Sequence, residues 1–116
     1  MEFKELLAHT RAVRQQYEAV TAARGEPVWN HRDHALAFVG DVGDVVKLVM
    51  AMEGSREIPD AAAKLPHDLV DCLWAVMAIA DCYGIDLDAA FHSDVAALQT
   101  WIAAQPSEPR DGSAVG

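Results

Sequence analysis

The stretch Phe38-Val39-Gly40-Asp41-Val42-Gly43-Asp44-Val45-Val46-Lys47-Leu48-Val49-Met50-Ala51-Met52 decides the fold. Placed at about 100° per residue, Phe38, Val39, Val42, Val45, Val46, Leu48, Val49 and Met52 cover most of a helix circumference. The run is too long for one strand and shows no alternation of period two. A helix that is apolar nearly all round is a buried helix. Upstream, Asn30 is a good N-cap with Asp33 three residues later, so the helix is predicted from Asn30 to about Glu53, where Gly54-Ser55-Arg56 ends it.

Working outward, a second segment has the same character. Leu69, Val70, Leu73, Trp74, Val76, Met77 and Ile79 surround a helix predicted within 60–83 and ended by Gly84. Pro66 interrupts its start, because proline removes a backbone bond and crowds the preceding turn. That favours a short turn over 60–65 and a main helix from Pro66. The flanking helices are one-sided. Phe3, Leu6, Thr10, Val13, Tyr17 and Val20 stripe a helix over 2–24, and Leu87, Phe91, Val95, Leu98 and Ile102 stripe one that starts at Asp86 and ends near Ala104. The reading is therefore all-α and four-helix-bundle-like. One domain spans 1–104, and a Pro-, Ser- and Gly-rich tail over 105–116 reads as disordered. The second and third helices form the central pair, or a second subunit covers them.

Composition fits this and excludes other classes. At 116 residues, 52% hydrophobic and 23% charged, the chain has enough apolar content for a core. A net charge of −9 disfavours a protein that coats a nucleic acid polymer, which needs a basic face. No apolar run is long enough for a membrane span. The opening Met1-Glu2-Phe3-Lys4-Glu5 does not read as a signal peptide. Cys72 and Cys82 read as buried thiols in a reducing cytoplasm, so a cytoplasmic location is expected.

Chemistry concentrates on the two apolar helices. Asp41 and Asp44 lie three apart on one, Asp68 and Asp71 three apart on the other, and each pair shares a face. Carboxylates on buried helices need a partner, because an unpaired buried charge is costly. A hard divalent cation with oxygen ligands is one remedy, and inward carboxylates from adjacent helices can build such a site. A solvated acidic patch, a cap at Asp68 or a pairing with Lys64 would also accommodate them.

With its flanks, this pattern resembles the MazG-like all-α nucleoside triphosphate pyrophosphohydrolases, whose motif is E-x-x-E on one helix and E-x-x-D on the next. Here the match is Asp41-Val42-Gly43-Asp44 followed by Asp68-Leu69-Val70-Asp71. Also similar are Trp29, the stretch from Gly40 to Ala51, the stretch Lys64-Leu65-Pro66-His67-Asp68-Leu69-Val70-Asp71-Cys72-Leu73-Trp74, and Tyr83-Gly84-Ile85-Asp86-Leu87-Asp88-Ala89-Ala90-Phe91. The resemblance implies a MazG-type fold, usually a homodimer or homotetramer. It also implies Mg²⁺-dependent cleavage of an NTP or dNTP to monophosphate and pyrophosphate in nucleotide house-cleaning, with Mn²⁺ as a possible substitute. By position, Asp41, Asp44, Asp68 and Asp71 would hold the metal and serve catalysis. Three of the four carry Asp where the pattern has Glu, and each is shorter by about 1.5 Å. Helix spacing or an extra water must make up that reach.

Around the carboxylates, Lys47, Lys64 and Arg56 are candidates for phosphate binding, and Trp29 for stacking on a base. As alternatives, the lysines are solvated or neutralise aspartates, Trp29 is a hydrophobic staple, and Trp74 is core or interface. His31 and His34 could be half of a Zn²⁺ site but read better as an exposed pair. His67-Asp68 resembles the dipeptide of HD-domain phosphohydrolases, with poorer flanks. The functional alternative to hydrolysis is a non-catalytic nucleotide-binding or oligomerisation module with a degenerate site.

Overall fold

A computed structural model describes residues 1–107. The described residues hold four helices and no strand: α1 (Phe3–Ala23), α2 (His31–Met52), α3 (Ala61–Cys82) and α4 (Leu87–Ala103). The predicted tail lies mostly outside them, at residues 108–116. The chain divides into two compact units, one spanning Met1–Asp86 and the other opening at Leu87.

Local chemistry sets the boundaries of the first unit. Asn30 caps α2 with a full capping box: its side chain accepts from the Asp33 amide at 2.9 Å, and the Asp33 carboxylate accepts from the Asn30 amide at 3.0 Å. Replacing Asn30 with Ala should cost about 1 kcal/mol. Chemical denaturation would check this, and an unchanged midpoint would mean the cap contributes nothing. At the other ends, α2 and α3 stop on Gly54 and Gly84, at φ 85° and 64°, values that side chains other than glycine adopt at a cost. In each case the next residue's amide reaches back into the last turn, Ser55 to the Met50 carbonyl at 2.8 Å and Ile85 to the Ala80 carbonyl at 2.9 Å.

Pro66 does not divide α3, contrary to the break favoured by the sequence. The helix runs through it from Ala61. The carbonyl that loses its partner belongs to Ala62, and both Ala62 and Pro66 are exposed, so water can satisfy the freed group.

The dominant packing is α2 against α3. A short loop makes them antiparallel. Counting from the loop, Asp41 falls opposite Cys72 and Asp44 opposite Leu69, so the two aspartate pairs face one another midway along the hairpin. The His31 and Tyr83 rings, edge-to-face at 5.0 Å, close the open end in the same register. α1 packs on α3 running the same way. The Thr10 hydroxyl donates to the Met77 sulfur at 3.4 Å, and Arg14 pairs with Asp81.

The buried apolar residues are Leu48, Ala61, Ala75, Met77, Ala78 and Ala80. Five of the six are on α3 and most are alanine, so the helices approach closely while burying little area per side chain. The expectation of a buried central pair therefore holds within the chain only in part: α3 buries its alanines and Met77 but leaves Leu69, Val70 and Leu73 exposed, and α2 buries only Leu48. Val39, Val42, Val46, Val49 and Met50, at i, i+3, i+4 spacing, form an exposed apolar stripe on α2. In the second unit, α4 carries no buried residue.

Candidate functional site

The hairpin register predicts that the four aspartates meet, and their electrostatics agree. Burial raises the Asp41 pKa above its ordinary value, and the charges of Asp71, Asp44 and Asp68 raise it further, in that order. Cys72, on the same stretch of α3, is pushed up by burial and by the same four carboxylates. All four candidate metal ligands thus lie in one electrostatic neighbourhood.

Within it, His67, Asp68 and Asp71 each offer a ligand atom lying within 4.8 Å of the others. His67 Nε2 stands 3.4 Å from Asp71 Oδ2, one helical turn away. Among the described residues Asp71 stands against His67 and not Lys64, the partner considered from sequence. The carboxylate oxygens suit Mg²⁺, while an imidazole nitrogen in the set is better tolerated by Mn²⁺. The donors present therefore fit a divalent cation.

A cavity of about 370 Å³ opens beside these carboxylates, bordered at one end by Asp41 and Asp71. This is within the size range of small-molecule sites. Trp29, from the loop before α2, and Trp74, from α3, supply flat apolar surface to it, and Tyr17 adds a third ring from α1. Trp29 also meets the His34 ring edge-to-face at 5.5 Å. Of the four substrate-binding candidates, only Trp29 lines the cavity. Lys47, Lys64 and Arg56 are exposed and are not gathered there.

Two residues outside the four aspartates and the four substrate-binding candidates also line the cavity. His34 is half-buried and lines the cavity, unlike His31, which is exposed. Arg14 is 6% exposed and also lines it. Its Nη2 donates to Asp81 Oδ2 at 2.6 Å, Arg11 Nε holds Asp81 Oδ1 at 2.6 Å, and its Nη1 is buried without a hydrogen-bond partner. The helical wheel carried the signal for Arg14, which falls between Phe3, Thr10 and Leu7 on the inward sector of α1.

Burial lowers the His34 pKa, and the Arg14 cation lowers it further, against smaller opposing effects of Glu18 and Asp33. A group whose folded pKa lies below its unfolded value stabilises the fold fully above the unfolded value. That contribution should fade as pH falls below about 6.5, because the unfolded chain then takes up more protons. His34→Gln should flatten the denaturation midpoint against pH in this window. An equally steep profile in the variant would remove His34 as the cause.

Compared with protein-family models, curated proteins and solved structures, the chain matches none.

Proposed function

We propose that this chain is a divalent-metal-dependent hydrolase of the MazG-like kind, converting an NTP or dNTP to its monophosphate and pyrophosphate. The observation that carries the reading is the convergence of Asp71, Asp44 and Asp68 on Asp41 beside an aromatic-lined cavity. A bound Mg²⁺ or Mn²⁺ would neutralise triphosphate charge and acidify a water. Asp41, Asp44, Asp68 and Asp71 would hold the ion; of these, Asp68 and Asp71 stand with His67 close enough to share one. Trp29 and Trp74 orient the base. A carboxylate of this group that is not bound to the ion would take the proton from the attacking water. The water oxygen bonds to the α-phosphorus, the bond to the bridging oxygen breaks, and pyrophosphate leaves with the electron pair. House-cleaning of cytoplasmic nucleotide pools is the role that suits such chemistry.

The test is incubation with each NTP and dNTP plus Mg²⁺ or Mn²⁺, from neutral to mildly alkaline pH, with detection of pyrophosphate. No release from any nucleotide would remove the hydrolase claim. One observation favours a second reading, a non-catalytic nucleotide-binding module: Lys47, Lys64 and Arg56 stand away from the cavity, so no cluster of cations clamps a triphosphate. Calorimetric binding of nucleotide without pyrophosphate release would support that reading.

The proposed assembly is a homodimer or homotetramer. The α2 stripe, with Val39 at 71% exposure, is open to solvent, as are Leu69, Val70 and Leu73 on α3. Exposed apolar surface on this scale calls for a covering partner. Beside it, a Cβ added at Gly40 or Gly43 would touch nothing in the chain, which leaves room for close approach by a second helix. Sedimentation equilibrium should return at least twice the chain mass, and Val39→Glu with Val46→Glu should shift it to the monomer. A monomeric unmodified protein would overturn the assembly.

A further inference from the structure

We propose that α4 of a second copy lies along the exposed α2 stripe, so that two copies exchange α4 reciprocally. The proposal rests on the reading of the chain as a homo-oligomer and names the element that covers the stripe.

The two faces carry the same period. Val39, Val42 and Val46 on α2 follow one another at steps of three and four, and all are exposed. Val95, Leu98 and Ile102 on α4 repeat those steps and are exposed as well. Apolar residues at such steps form the seam along which two helices pack side by side. Set parallel, with like positions level, Val39 meets Val95, Val42 meets Leu98 and Val46 meets Ile102. Toward the N-termini the same register puts Phe91 opposite Ala35, a large ring against a small side chain. One step further, Asp88 falls level with Arg32.

Charge selects the partner. Arg32 heads the α2 seam and is exposed. α4 carries Asp88 and Asp94 and neither Lys nor Arg. Pairing α2 with α2, or α4 with α4, in this register would set Arg32 against Arg32 or Asp88 against Asp88, whereas α2 with α4 opposes unlike charges. Reach points to a second copy. The Ile85 amide is tied back to the Ala80 carbonyl, and Leu87 opens α4, so about 7 Å of free chain lies between them. The stripe faces away from Leu48, the residue that α2 buries. To lie on that outer face a helix must stand two interhelical spacings from α3, about 16–20 Å. The α4 of another copy is under no such limit, and reciprocal exchange of one element closes a symmetric dimer.

The test is sedimentation equilibrium of the full chain and of two double variants, Val39→Glu with Val46→Glu on α2 and Leu98→Glu with Ile102→Glu on α4. All four positions are exposed, so circular dichroism should show each variant helical. Each variant alone should be monomeric. Mixed, the two should recover a dimer, because one of its two seams then joins an unaltered α2 to an unaltered α4. Arg32→Asp and Asp88→Arg should each weaken association roughly tenfold, and the two changes in one chain should restore it. This exchange leaves the apolar seam untouched, so it tests the same contact if a glutamate variant unfolds. An assembly that survives the α4 variant, variants that stay monomeric when mixed, or no recovery in the charge exchange would each overturn the α4 assignment and leave the assembly standing. A monomeric unmodified protein would overturn both.

Discussion

Asp71→Asn is expected to abolish pyrophosphate release while leaving the metal-free protein as stable as before, or slightly more stable. The two halves of this result have different origins. Asp71 is the largest charge acting on Asp41, and Asp44 and Asp68 add to it. Without a cation these groups only repel, so removing one charge relieves up to about 0.5 kcal/mol. With a cation, the same substitution removes a ligand oxygen. Groups that merely orient metal ligands cost about 10- to 100-fold when lost, so loss of a ligand should cost about 100-fold or more. Asp44→Asn should behave in the same way, and metal should raise the melting temperature of the unmodified protein but not of either variant. A carboxylate kept for folding would show the reverse, with a lower melting temperature and activity reduced only in proportion. Retained turnover in both variants would remove the four aspartates from the proposed chemistry.

The parts of this molecule that sequence made legible are those with local causes. Asn30 with Asp33, and the glycines at 54 and 84, act within a few residues, and the helices end within a residue or two of where these signals place them. The meeting of Asp41 with Asp71 is non-local but still legible, because one short loop fixes the antiparallel register. Burial of α2 was not legible. Its pattern records that it should be covered, not that α3 and α1 of the same chain do so, and Val39 and Val46 remain open to solvent. Pro66 misled because its cost depends on whether the freed carbonyl is exposed, which no local pattern states. Arg14 was missed for a related reason. An arginine in an apolar stripe looks like an interruption until its partner is known, and Asp81 lies 67 positions away. His34 read as one of an exposed pair because its contact with the Trp29 ring, which helps to half-bury it, is not visible in the helix pattern.

Asp81→Asn should be the most destabilising isosteric change on the inner face of α3. The Asp81 carboxylate serves two arginines, and the two contacts are not equivalent. Arg14 is enclosed, with 8% of its side chain exposed, whereas Arg11 is 51% exposed. An amide at this position keeps the shape but leaves the Arg14 guanidinium buried without a counter-charge. Breaking a fully enclosed pair costs about 3–5 kcal/mol. Asp81 is itself about one-third open to solvent, so the expected loss is smaller, about 2 kcal/mol. In a unit this small that is a fall in melting temperature on the order of 10 °C. Arg11→Ala should cost less than about 1 kcal/mol, as exposed pairs do. The double variant Arg14→Leu with Asp81→Leu separates the charge from the packing. It removes both buried ions together, so it should recover much of the stability lost in Asp81→Asn. Equal losses in Asp81→Asn and Arg11→Ala, or a double variant no better than the single one, would mean that Asp81 does not act by neutralising Arg14.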